Sequence, residues 1–283
     1  LQLSAHSLIR AQQDIINYLN QIKNQKKVVI IPVYKENPSA EELKSLRQCI
    51  RVLGKHDLCL VCTSSLNRTV YDAVFEKEKA TYRVEFFDAD FFASQRGYNR
   101  LMLTRSFYQR FSQWEYMLIY QLDAYVFSDR LDEWCQKGYD YVGAPFLKLN
   151  KEVDPVNSGN GGFSLQRIQS FIEVFSCTGK VLHARGLWRF YRYRGPLHRL
   201  PLTLRGLFGY RNHLSYFLVG DTVNEDLFYA MLADSCLRWR VPETPEAMYF
   251  AFEGRPSFLY SRTGQLPFGC HAYLENEYET DHD

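Results

Sequence analysis

The sequence contains no apolar run approaching the length of a membrane-spanning helix; stretches such as Val28 to Val33 fall far short of the roughly 20 residues required. It has almost no excess of charge of one sign. Its 34 Lys and Arg against 32 Asp and Glu leave a formal net charge of +2, too little for a surface that coats nucleic acid. Paired cysteines are missing as well. The 7 Cys are scattered, and the close pair Cys59 and Cys62 has no second pair to complete a zinc site, so the thiols are expected to be reduced structural filler. No internal repeat is visible. No basic segment followed by an apolar stretch and a small-residue cleavage site opens the sequence, which gives the expectation of a cytoplasmic protein. What is abundant is aromatic: 20 Tyr and 20 Phe, side chains that fill cores and also pack against sugar rings.

Strand and helix signals alternate along the chain. Leu8, Ile15, Leu19 and Ile22 share one helical face, so a leading amphipathic helix is expected within residues 1–25. Val28 to Tyr34 reads as a strand buried on both faces. Ser39 and Glu42 form a capping-box pattern, followed by Leu43, Leu46, Ile50 and Leu53 at helical spacing. Further strands are expected at 58–63, 83–87, 116–122 and 139–145, with helices at 67–79, 98–111, 163–175 and from Asn224 onward. Alternation of this kind predicts one α/β domain over 1–283, built on a mainly parallel sheet with helices on its faces.

The strand at 116–122 ends abruptly at Asp123, and the carboxyl ends of strands in open α/β sheets are where ligands bind. Asn157 to Gly162 reads as a glycine-rich loop whose amides can approach a ligand closely. Glu225 and Asp226 open a helix, where acidic side chains also suit the helix dipole. His271 is a lone histidine near an apolar strand. From His183 to His213 arginines alternate with Trp, Tyr and Phe, a mixture suited to an anionic membrane surface and equally to a solvated helical excursion.

Several segments together resemble a known group. Ile31 to Glu36, Tyr98 to Leu101, Gln121 to Ala124, Gly138 to Pro145, Gly159 to Leu165, Asn224 to Asp226 and Leu266 to Ala272 resemble a bacterial family long catalogued as a domain of unknown function. That family is assigned to the GT-A, or nucleotide-diphospho-sugar transferase, fold and is common in surface-polysaccharide gene clusters. A more distant likeness is to glycogenin-like and lipopolysaccharide galactosyltransferase-like enzymes. The resemblance implies a glycosyltransferase moving a sugar from a nucleotide donor, by analogy a UDP-hexose, to a hydroxyl of a glycan or lipid-linked acceptor, with inversion.

It further implies roles for individual residues. Asp226, with Glu225 beside it, takes the position of the catalytic base. Val33, Tyr34, Arg100, Asp123, Asn160, Gly161 and Gly162 fall where the donor is held. Asp123 stands at the first carboxylate of an Asp-x-Asp motif, but Tyr125 stands at the second. Two donor sites therefore remain open: one holding Mn or Mg through Asp123 and His271, and one in which positive side chains neutralise the diphosphate. A lipid-linked acceptor would put the protein at the inner membrane face, with the 183–213 insert as its contact. The competing classes are a non-catalytic carbohydrate-binding or scaffold domain and a sugar nucleotidyltransferase. The latter lacks support because no glycine-rich loop follows the first strand.

Overall fold

Val28, Val29, Ile30 and Ile31 are all fully buried, as successive residues of a strand covered on both faces must be. The computed structural model describes residues 26–147, 153–192, 194–218, 225–235, 239–253 and 256–272; the expected leading helix lies outside them. Its strands are β1 (Lys27–Pro32), β2 (Asp57–Cys62), β3 (Arg83–Phe86), β4 (Tyr116–Tyr120), β5 (Tyr125–Val126), β6 (Tyr141–Leu147), β7 (Val153–Arg167), β8 (Ala251–Phe252) and β9 (Gly269–Cys270). Six form the central sheet in the order β3-β2-β1-β4-β7-β6. β1, β2, β3 and β4 are parallel, and β7 runs antiparallel to both of its neighbours. The sheet is therefore mainly parallel, with β7 the reversed strand.

Alternate side chains of each strand feed opposite cores. Val29, Ile31, Leu58, Leu60, Leu118 and Tyr120 pack beneath the helices Ala40–Leu53 and Thr69–Lys77. Val28, Ile30, Val61, Met117 and Ile119 face the other way, toward Phe107 of the helix Arg105–Arg110 and Phe171 of the helix Ile168–Val174. Cys62 belongs to the first core and Cys59 to the second, so the close cysteine pair is split between the two faces. Helices on both faces of a mainly parallel sheet make the α/β class expected from the sequence.

The capping box forms as expected: Ser39 Oγ accepts from the Glu42 amide at 3.1 Å, and Glu42 Oε2 accepts from the Ser39 amide at 2.7 Å. Three sequence expectations need correction. The helix expected over 98–111 is two, Gln95–Met102 and Arg105–Arg110, because Thr104 takes an extended backbone and its Oγ1 caps the second from the Phe107 amide. Residues 163–167 are strand, paired with β4 from Tyr120↔Phe163 to Tyr116↔Arg167, and the helix begins at Ile168. The glycine-rich 157–162 segment is the irregular middle of β7, with register shifts against Gly143 to Leu147 of β6.

β5, β9 and β8 form a small second sheet. Its pairing of Tyr125 with Cys270 fixes where the chain around Asp123 meets the chain around His271. The basic-aromatic segment is helical, Ala184–Phe190 and Pro196–Leu207, and is closed at its base by a bridge between Lys180 and His213. A second bridge, Leu182 to Ser235, ties it to the chain just beyond the helix Glu225–Met231.

Candidate active site

β4 stops where its backbone turns: the Ala124 amide donates to the Gln121 carbonyl at 2.9 Å, leaving Asp123 on the turn. The turn is clamped from beneath. Ser45 Oγ, fully buried on the helix Ala40–Leu53, donates to the Ala124 carbonyl at 2.5 Å, and the Tyr120 hydroxyl lies 3.0 Å from that Oγ. Asp123 is thus presented at the carboxyl end of the sheet by a rigid support.

His271 follows β9 and is aligned by its amide, which donates to the Phe252 carbonyl at 3.0 Å. Its Nε2 lies 3.3 Å from Asp123 Oδ1 and 3.3 Å from Gln121 Oε1. Its Nδ1 stands 3.5 Å from Glu253 Oε1, an ion-pair contact. Burial disfavours charge on the ring, but attraction to Asp123 and Glu253 outweighs it, and the pKa rises from 6.5 to about 10. The ring is an imidazolium at neutral pH. Burial in turn would raise the Asp123 carboxyl; the bond to His271 and its charge, helped by Lys35, hold it below the usual carboxylate value.

The β7 segment lies directly against this pair. A Cβ at Gly162 would fall 2.0 Å from His271 Nε2 and 2.8 Å from Gln121 Oε1, so any side chain here requires the His271 ring to move. Asn160 fixes the segment from both sides: its Oδ1 accepts from the Gly162 amide at 2.7 Å, and its Nδ2 donates to Glu253 Oε1 at 2.7 Å. The next glycine faces the acids, since a Cβ at Gly161 would lie 3.0 Å from Glu225 Oε1 and 3.9 Å from Asp226 Cβ. Glu225 is 8% exposed. Burial first, and the neighbouring Asp226 charge second, push its carboxyl from 4.5 to about 7.

A buried polar chain underlies the site. Ser164 Oγ donates to the Gly161 carbonyl at 2.9 Å, and Gln166 bonds Ser164 at 3.0 Å. Tyr108 links Gln166 to Tyr229, each at 3.0 Å, and Tyr229 donates to the Met102 carbonyl at 2.6 Å. Since Tyr229 lies on the helix that opens with Glu225 and Asp226, three elements of the site are joined beneath it.

Asp123, His271, Asn160, Gly161, Gly162, Glu225 and Asp226 are therefore brought together from four parts of the chain. The remaining sequence candidates behave differently. Val33 is buried in the core, with its amide donating to the Val61 carbonyl at 2.9 Å, so it offers no side chain to a ligand. Tyr34 is 57% exposed at the same strand end. Arg100 is exposed and its guanidinium lies 5.9 Å over the Phe91 ring. Its helix contributes Tyr98 instead, whose hydroxyl is buried without a hydrogen bond of good geometry, near enough to Glu225 and Asp123 to feel their charge. Gln121, Glu253 and Tyr98 were not singled out by sequence reasoning. Gln121 and Tyr98 stood inside noted segments, whereas Glu253 is a single acid after a two-residue strand and carried no signal.

The donor set does not make a closed cation site. Asp123 is the carboxylate at the strand end, the second Asp-x-Asp position is Tyr125 on β5, and His271 is held between Asp123 and Glu253. Among the described residues no group of three or more His, Cys, Asp or Glu side chains is arranged to hold a metal ion.

A family model described as "Protein of unknown function (DUF5672)" matches residues 81–271. The chain belongs to this family. Nearly the whole cluster above, from Tyr98 to His271, falls within the DUF5672 match. No curated protein matches the chain. Among solved structures, mouse xyloside xylosyltransferase 1 in its apo form shares 12% identity at a TM-score of 0.47, covering 89% of this chain and 99% of that one. Core-mannan synthase A from Aspergillus fumigatus, in a form described as Mn/GDP, shares 8% at 0.44, covering 74% and 70%. TarS of S. aureus in complex with UDP-GlcNAc shares 13% at 0.34, covering 52% of this chain and 47% of that one. The chain spans about half or less of the length of the TarS chains it matches first, 29%, 48% and 47% of them. All of these are distant likenesses of shape.

Proposed function

We propose that this DUF5672 chain is a GT-A-type glycosyltransferase. It would move a hexosyl group from a nucleoside diphosphate donor, UDP-hexose being the first candidate, to a hydroxyl of a glycan or lipid-linked acceptor in surface-polysaccharide synthesis. The observation that carries the reading is the meeting, across Gly161 and Gly162, of two unlike groups. One is the ion pair of Asp123 and His271 at the carboxyl end of β4; the other is the adjacent acid pair of buried Glu225 and half-buried Asp226. Glycosyl transfer needs both: charge that holds and neutralises a departing diphosphate, and a carboxylate beside the attacking hydroxyl.

In this reading the acceptor oxygen attacks the anomeric carbon while the bond from that carbon to the diphosphate oxygen breaks. The bonding pair leaves with the nucleotide, and the acceptor proton passes to Asp226. Glu225, which holds a proton up to about pH 7, is a hydrogen-bond donor to acceptor or sugar and limits the negative charge crowded around the base. The cations nearest the diphosphate are Lys35, which is paired with Glu42 at 2.7 Å and feels the charge of Asp123, and the His271 imidazolium, which is shared between Asp123 and Glu253; the diphosphate would compete with these carboxylates for them. Tyr34 is the exposed ring at the end of β1 available to a nucleotide base.

The test is calorimetric titration with nucleotides and nucleotide sugars, with Mn and again with EDTA, on wild type and Asp226→Asn. A transferase of this design binds a donor nucleotide, and Asp226→Asn keeps that affinity while turnover falls about 10²–10⁴-fold. Binding indifferent to EDTA supports neutralisation by His271 and Lys35; binding abolished by EDTA assigns that role to a cation. Absence of nucleotide binding under both conditions refutes the proposal and favours a carbohydrate-binding module.

A further inference from the structure

An amphipathic surface helix normally buries its large apolar residues. The helix Pro196–Leu207 packs Leu202 and Leu207 half-buried on the second core but leaves its other large apolar residues outside. Thr203 and Gly206 are its buried positions, and a Cβ on Gly206 would stand 2.8 Å from Leu187 Cδ2, so the small face is pressed against the helix Ala184–Phe190. Leu197, Leu200 and Leu204, spaced i, i+3 and i+7, form a single outward stripe that Phe208 continues past the helix end. Leu197 is 87% exposed and Phe208 92%. Four large side chains held in water on one line have an unmet partner.

Charge selects that partner. From Val174 to Gly220 the sequence has no Asp or Glu, while it carries Lys180 and the seven arginines between Arg185 and Arg211. Among the described residues three of these lie over rings: the Arg199 guanidinium 3.9 Å over Trp188, that of Arg205 4.0 Å over Tyr210, and that of Arg211 5.1 Å over the same Tyr210. Both rings are themselves partly exposed, Trp188 at 40% and Tyr210 at 37%. A second copy of the same face would bring like charge against like charge. An apolar ridge rimmed by guanidinium and by amphipathic rings is instead complementary to a bilayer interface, where the ridge enters the headgroup region and the cations meet anionic lipid.

We propose that the helix Pro196–Leu207 and its flanks are a docking surface for an anionic lipid membrane. The surface is not remote from the candidate site: the helix Ala184–Phe190 that supports it packs on the turn Leu232–Asp234, which directly continues the helix opening with Glu225 and Asp226. Docking of this kind holds the acid pair at a fixed relation to the lipid surface. The inference stands apart from the transferase reading, since it concerns attachment and is read without activity.

The experiment is co-sedimentation of the full chain with phosphatidylcholine vesicles, with and without phosphatidylglycerol, over a range of salt. Binding is expected only with the anionic lipid and is expected to weaken as salt rises. The doubly substituted Leu197→Ser, Phe208→Ser protein, whose changes lie at exposed positions, is expected to keep its melting temperature and lose at least about tenfold in vesicle affinity. Arg194→Gln is expected to lose about fivefold. Failure of wild type to bind anionic vesicles overturns the proposal, as does unchanged binding by the double variant. A wild-type dimer that the double variant converts to monomer, without vesicle binding by either, also overturns it in favour of a contact between copies.

Discussion

Replacing Glu225 by Gln should stabilise this protein at alkaline pH while leaving it nearly unchanged in acid. In the folded chain the carboxyl is 8% exposed beside Asp226, and it keeps its proton up to about pH 7 where an unfolded chain gives it up near 4.5. Between those values the native state binds more protons than the unfolded state, so stability falls as pH rises. The contribution is fully present below 4.5 and gone above about 7. At about 1.4 kcal/mol per pH unit, the rise from 4.5 to about 7 amounts to about 3 kcal/mol. Gln keeps the shape of the protonated acid and never ionises. Urea unfolding of wild type and Glu225→Gln at pH 4 and pH 8 reads the effect. Near equality in acid is expected, with the variant more stable by about 3 kcal/mol at pH 8. A difference that does not grow between the two pH values, or a variant less stable than wild type at pH 8, would refute the assignment of Glu225 as a buried acid under strain from its neighbour. The substitution is also expected to lower turnover, which separates its functional role from its stability cost.

Two further substitutions probe the geometry. Gly162→Ala places a methyl group 2.0 Å from His271 Nε2, so the ring must leave Asp123; thermal melting is expected to fall by the equivalent of about 1–3 kcal/mol, with nucleotide affinity lost alongside. Unchanged nucleotide affinity in a folded Gly162→Ala protein would remove His271 from the donor site. Tyr229→Phe withdraws the donor of the buried Met102 carbonyl and a partner of Tyr108, and is expected to cost about 1–3 kcal/mol in urea unfolding; a cost near zero would mean the hydroxyl chain is dispensable.

Much of the sheet was legible because its strands are buried on both faces, which writes an unbroken apolar run into residues such as Val28 to Ile31 and Tyr116 to Tyr120. The segment that was misread is β7. Its period-two signal is clear only after Gly162, where Phe163 and Leu165 alternate with Ser164 and Gln166, and those polar residues are buried because they belong to the hydroxyl chain. A short window there is compatible with a helix, and only the long-range pairing with β4 decides otherwise. In the site, Asp123, the glycines, the two acids and His271 were found as separate marks at strand and helix ends. What no local pattern contains is their contact: it is made by the pairing of Tyr125 with Cys270, which also brings Glu253 to Asn160 and His271. For Arg100 the resemblance alone implies a place near the nucleotide; its helix does border the site, but it turns Tyr98 inward and Arg100 out to Phe91.

The chain beneath the site has a consequence for its hydrogens. From the Gly161 carbonyl through Ser164, Gln166, Tyr108 and Tyr229 to the Met102 carbonyl there are five short contacts. Ser164, Tyr108 and Tyr229 bring one hydrogen each, and the Gln166 amide donates along the chain on one side only, so four hydrogens serve five contacts. One contact is always without a proton. With the Gln166 nitrogen toward Ser164 the gap lies among the tyrosines and Met102; with the amide turned over, it lies at Ser164, between the Gly161 carbonyl and Gln166. A half-turn of one buried amide therefore relocates the deficit from the helix bearing Tyr98 to the strand bearing Gly161, with no heavy atom outside that amide displaced.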